Sequence, residues 1–191
     1  MPGLELVPFV HIYHCKILSV MPRPVPGDYA PFYNGYVMHS AADENDAVKL
    51  LEASVPALEA WLQSIPAYKH EYAYAEGKWT VKQMLQHMID TERVFSYRAM
   101  CIARGEQQPL PGFDENAFAT AATASHRSWA QLVQEMMTLR QASVLLYQSL
   151  MPADLERAGT ASGSRITCNA LAYLLVGHVR HHMQVYAQRY A

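Results

Sequence analysis

The sequence predicts an all-α fold, most simply a four-helix bundle, and three observations carry that prediction. Four stretches repeat apolar residues at spacings of three and four, the period of an amphipathic helix. No stretch holds a convincing strand run of alternating apolar and polar residues. No unit recurs at the roughly 20–50-residue period of solenoids and propellers. The 191 residues, 51% hydrophobic and 17% charged, suit a single domain with a real core.

The chain opens on residues 1–20, MPGLELVPFVHIYHCKILSV. This stretch lacks a basic leader and an A-x-A site, and His11, His14 and Lys16 interrupt its apolar part, so it makes a poor signal peptide. It is read as a candidate non-native N-terminal extension, with Met21 as an alternative start and the domain covering residues 21–191. His11, His14 and Cys15 have metal-like spacing but no helix signals around them, and they are not taken as ligands. Residues 21–36 hold four prolines and two glycines, which predicts an irregular strap. Its Tyr29, Phe32, Tyr33 and Tyr36 suggest that the strap lies on the domain.

A first long helix is expected after an Asp43 cap, with a seam of Val48, Leu51, Val55, Leu58, Leu62 and Ile65. Pro56 should kink or break it. Thr80 and Gln83 form a capping box that starts a second helix, and Gly105 stops it. Met84, His87, Thr91, Val94, Phe95 and Arg98 share one side of that helix. Residues 105–116 form a Pro/Gly loop, and Asp114 caps a short turn through Ala122. A third long helix covers about 125–150, with Trp129, Val133, Met136, Val144 and Tyr147 inward and Arg140 near that stripe. Pro152 ends it, and residues 153–165 read as a surface loop. Thr167 caps the last helix, whose stripe of Leu171, Leu174, Leu175, Val185 and Tyr186 is interrupted by His178 and His182.

Those two histidines lie at i and i+4, about 40° apart around the axis, so both imidazoles leave one side of the helix one turn apart. Two polar rings on a core-facing stripe are either ligands of one metal ion or core histidines satisfied by hydrogen bonds. His181 lies about 60° to the other side and reads as a flanking residue. His87 adds a third imidazole from the second helix. Three histidines without a fourth protein ligand match an open, catalytic-type site for a divalent metal such as zinc or nickel. Asp90 and Glu92 are candidate acceptors for a ligating ring, or else are solvated or paired with Arg93. Arg98, about three turns along from His87, either pairs structurally or holds an anionic group of a ligand.

The formal charge of −2 and the lack of a basic run give no support to nucleic-acid binding. No apolar run reaches the roughly 20 residues needed to span a bilayer. Cys15, Cys101 and Cys168 are widely spaced, which fits reduced thiols in a cytoplasmic protein.

The segments GKWTVKQMLQHMIDTERVFSYRAM (77–100), PLPGFDENAF (109–118) and GHVRHHMQV (177–185) resemble the DinB family, and the resemblance covers about 21–191. It implies a bundle of up-down-down-up character with a three-histidine metal site, the ligand positions falling on His87, His178 and His182. It also implies a bacterial protein linked to stress, and two kinds of activity. Similar members are thiol S-transferases, which join a low-molecular-weight thiol such as bacillithiol to a small electrophile. Others have been described as metal-dependent hydrolases. Hydrolysis usually wants a general base, and no carboxylate shares the His178/His182 stripe. It would have to recruit Asp90, Glu92, Asp114 or Glu115. The sequence therefore favours thiol transfer, with Arg98 as the cofactor-binding grip on the carboxylate of an anionic thiol. Metal-dependent hydrolysis and a non-catalytic metal-binding protein are the alternatives, and a homodimer is compatible with either.

Overall fold

In a computed structural model, residues 22–40 and 44–191 are described. The extension 1–20, with His11, His14 and Cys15, and the expected Asp43 cap lie outside the described residues.

Residues 22–33 run as a strap that ends in a 3-10 turn, Pro31–Tyr33, and leads into helix α1, Asn34–His39. The expectation of no regular element here is corrected. Pro31 sits at the first helical positions, where its missing N–H costs nothing and its fixed φ favours the turn. Side chains of the bundle tie the strap down. Asn169 donates to the Pro22 carbonyl at 2.9 Å, Arg165 donates to the Gly27 carbonyl at 2.6 Å, and Tyr29 is buried.

Helix α2, Ala47–Ser64, is capped by Asp46, whose carboxylate accepts from the Val48 and Lys49 amides. Pro56 lies inside it without breaking it. That residue is exposed, so water can take the place of the lost donor. Leu51, Ser54, Leu58 and Leu62 on the buried side hold the helix in register. Helix α3, Val81–Ala103, begins at the predicted Thr80/Gln83 capping box and ends before Gly105, whose φ of +83° suits glycine. The short α4, Glu115–Ala121, is capped by Asp114. Helix α5, Trp129–Gln148, starts later than expected, because Ser128 and Gln131 form its capping box and 124–126 are a separate 3-10 turn. Helix α6, Pro152–Glu156, is a single short segment.

The predicted surface loop is instead a hairpin. Strand β1, Ala158–Ala161, pairs antiparallel with β2, Ser164–Thr167. Ser162 and Gly163, at φ +51° and +74°, supply the two left-handed residues of a tight hairpin turn. Four-residue strands are too short for alternation to show. Thr167 ends β2 and caps α7, Cys168–Arg189, by accepting from the Ala170 amide.

The long helices α2, α7, α3 and α5 pack in that cyclic order, so α2 lies across the bundle from α3 and α5 from α7. Helix α1 lies on α7. Two apolar clusters fill the bundle, one built on Phe95, Ala99, Tyr147 and the first half of α7. The other is built on Leu58, Leu62, Leu85, Met88 and Met136. They meet along α3 and α7 at the level of His87 and His178, where buried polar groups concentrate.

Candidate metal centre

Helix α3 delivers His87, and α7 delivers His178 and His182 one turn apart. The His87 and His178 Nε2 atoms are 3.0 Å apart, and those of His182 and His178 are 3.1 Å apart. Ligating nitrogens of all three lie within 4.8 Å of one another. Metal–nitrogen bonds of about 2.0–2.1 Å put neighbouring ligands about 2.8–3.4 Å apart, from octahedral to tetrahedral angles. Both distances to His178 therefore have ligand spacing, and the set has the donor type and convergence that could hold one ion.

All three rings are buried. Desolvation lowers His87 to about 4 from the ordinary 6.5, with the neighbouring His181 adding to the shift. It lowers His182 to about 3. His178 lies well below the ordinary value, from burial first and then from His182, His87, His181 and Arg140. All three are neutral at pH 7, which is the state that coordinates metal. His181 is half-buried and packs towards α1, with its ring 5.3 Å from that of Tyr36 and 5.8 Å from that of His39. Its place beside the triad matches the expectation of a flanking residue.

The acidic residues of α3 do other work. Glu92 is buried and takes two bonds from Arg140, at 2.9 and 2.8 Å. Ser143 donates to it at 2.8 Å. Arg140 also donates to Ser54 Oγ at 2.6 Å and to the Leu175 carbonyl at 2.9 Å. Asp90 accepts from Gln86 at 3.0 Å, while Arg93 pairs with Glu135. Neither Asp90 nor Glu92 is bonded to a ligating ring, so their reading as acceptors for one is corrected.

Arg98 is buried, and its Nη2 donates to the Pro111 carbonyl at 2.7 Å and to Ser162 Oγ at 2.9 Å. It ties the 105–114 loop to the hairpin tip. The guanidinium does not line the cavity beside the imidazoles, although Ser162 does. The sequence placed Arg98 on the His87 face of α3 and assigned it as the grip on an anionic thiol; in the structure its guanidinium bonds to the scaffold.

That cavity, about 350 Å³, is lined by His87 and His178, by Thr91 and Phe95 of α3, and by Phe32, Tyr33 and Tyr36 of the strap and α1. Phe113, Glu115, Ser162 and Ser164 complete most of the wall. Burial, then Glu115 and Tyr33, raise the Tyr36 phenol above its ordinary value, which keeps it a donor. The sequence flagged Glu115 as a loop carboxylate, but nothing local placed it here. Ser162 was missed because its turn signal is one Ser-Gly pair in a polar run.

The sequence model of the DinB superfamily matches residues 50–185. The chain belongs to the DinB superfamily. Among solved structures, it is similar to YfiT from Bacillus subtilis, described as a probable metal-dependent hydrolase with an unusual four-helix bundle topology. The TM-score is 0.67 at 18% identity, covering 85% of this chain and 92% of that one. This likeness supports the DinB fold. No curated protein matches the chain in sequence. No helix among the described residues is long and apolar enough to cross a membrane. Cys101 and Cys168 are unpaired, and burial pushes the Cys168 thiol up to about 12.

Proposed function

We propose that this DinB protein is a metal-dependent enzyme acting on a small, largely apolar substrate, with His87, His178 and His182 holding one divalent ion. The observation that supports it is the convergence of three neutral Nε2 atoms beside an aromatic-walled cavity. A divalent ion such as zinc or nickel would supply positive charge that lowers the pKa of a water or a thiol in its open positions. The chain's own groups do the rest. Burial keeps the imidazoles neutral, the rings of Tyr33, Tyr36, Phe95 and Phe113 hold an apolar body and exclude water, and Tyr36 keeps a proton to donate. Glu115, on the same wall, is placed to accept or return a proton.

Glu115 supplies the group that hydrolysis lacked on sequence grounds, and Arg98 is engaged by the scaffold. Both observations favour hydrolysis over the thiol transfer expected from the sequence. Transfer of a low-molecular-weight thiol to a small electrophile is the second reading. It is supported by the three neutral ligands, which leave the charge of an ion uncancelled and so suit a thiolate.

Zinc-loaded and nickel-loaded protein should be assayed with aryl ester and amide substrates, and separately with thiol and electrophile pairs. Chelator-sensitive hydrolysis that falls in Glu115→Gln while metal content holds is the expected result. Conjugation without hydrolysis would replace this reading with transfer. Metal-dependent melting with neither activity would make the ion structural.

A further inference from the structure

We propose that Thr91 is the hydrogen-bonding anchor for the ligand of this cavity, and that the ligand is a small molecule with an aromatic or apolar body and a carbonyl-type oxygen. The proposal rests on the reading of the cavity as a substrate site. Thr91 is 3% exposed, and its Oγ1 is a buried polar atom without a hydrogen-bond partner. Buried hydroxyls ordinarily find partners. In a helix, the default is to donate back to the carbonyl four residues earlier. Thr120 and Thr138 do so, each at 2.8 Å, to the Asn116 and Gln134 carbonyls. Thr91 forms no such bond to His87, and it lines the cavity.

Thr91 stands one turn after His87 on the same face of α3, about 6 Å along the axis. A ligand oxygen held there keeps its neighbouring atoms within the space beside the imidazoles. The aromatic rings select an apolar body. No Lys or Arg lines the cavity, so any attraction for an anion there comes from the ion alone, and the anchor at Thr91 is read with an uncharged probe.

The test is a fluorine NMR titration of the zinc-loaded full chain with para-fluorobenzamide and para-fluorotoluene. Wild type, Thr91→Val and Thr91→Ser are compared, with zinc content and melting temperature measured on the same samples. Wild type should bind the amide more tightly than the toluene. Thr91→Val, which keeps the shape, should weaken the amide about 3–10-fold, as expected for one hydrogen bond. Thr91→Ser should stay close to wild type, and the toluene should bind all three alike. Equal amide binding by wild type and Thr91→Val would overturn the proposal, as would no binding of the amide to wild type. Thr91-dependent amide binding in protein that holds no zinc would keep the anchor and remove the metal reading. Stoichiometric zinc with amide binding insensitive to Thr91 would do the reverse.

Discussion

Replacing Glu92 by Gln keeps the shape of the side chain but removes the charge that faces Arg140. The two side chains are 2% and 0% exposed, and no solvent can take over from the lost carboxylate. Glu92 accepts from Arg140 Nε, Arg140 Nη2 and Ser143 Oγ. The glutamine amide offers one oxygen and turns an NH₂ towards one of those donors. Breaking a buried ion pair from one side costs roughly 3–5 kcal/mol. With a donor also facing a donor, about 4 kcal/mol is expected. At about 2–4 °C per kcal/mol for a chain of this size, the melting temperature should fall by roughly 8–16 °C. The assay is thermal melting of metal-free protein by circular dichroism at neutral pH, at low and high salt. The fall should barely depend on salt, because the pair is dry. Zinc affinity should drop as well, since the uncompensated Arg140 charge acts on His178. Replacing both residues by Met should cost less than Glu92→Gln alone. A fall under about 3 °C, or one that salt abolishes, would refute the reasoning by showing that the pair is hydrated.

His178→Ala and His182→Ala should each abolish stoichiometric zinc or nickel binding while His181→Ala retains it, as read by elemental analysis; equal loss in all three would mean that the wrong rings were chosen. Metal-free protein should be least dependent on pH above about 6.5 and should lose stability as pH falls towards about 4 and 3, the folded values of His87 and His182. The sign follows because the unfolded chain binds more protons in that window, at up to about 1.4 kcal/mol per pH unit for each group. A melting temperature flat from pH 7 to 4 would contradict the burial of these rings. Gly177→Ala would place a Cβ 1.8 Å from the Tyr36 carbonyl, so α1 must shift. Amide exchange should speed up in 31–40 while α3 and α5 stay protected, and unchanged exchange in α1 would count against the contact. Arg98→Lys gives up the two-acceptor clamp on Pro111 and Ser162 and should lower stability by about 1–2 kcal/mol without loss of zinc; unchanged melting with weakened ligand binding would restore Arg98 as a ligand grip.

The bundle was legible because its information is periodic and local. Thr80 with Gln83 and Thr167 mark helix starts whatever lies around them, and the stripe carrying His178 and His182 is written at helix spacing. What escaped was set by tertiary contact. Pro56 reads as a breaker only while solvent on its exposed side is ignored. Glu92 and Arg140 stand 48 positions apart, and nothing in either local pattern says that they meet. Arg98 shares the face of His87, yet its hydrogen-bond partners come from a loop and a hairpin tip further along the chain. Glu115 could be named as a carboxylate in need of a role, but its place on the cavity wall depends on how the 105–114 loop crosses α3.

The stretch that matches the DinB superfamily begins at residue 50, whereas Phe32, Tyr33 and Tyr36 on the cavity wall lie before it. The three histidines and part of the cavity wall are therefore carried by separable lengths of chain. They meet at Gly177, where the missing side chain lets α1 settle on α7. Phe32 and Tyr33 can be exchanged on this account without loss of a ring contact to the histidines, whereas Tyr36, its ring 5.4 Å from that of His178, joins the two lengths. The wall of one bundle can in this way be altered at its edge while the helices keep their places.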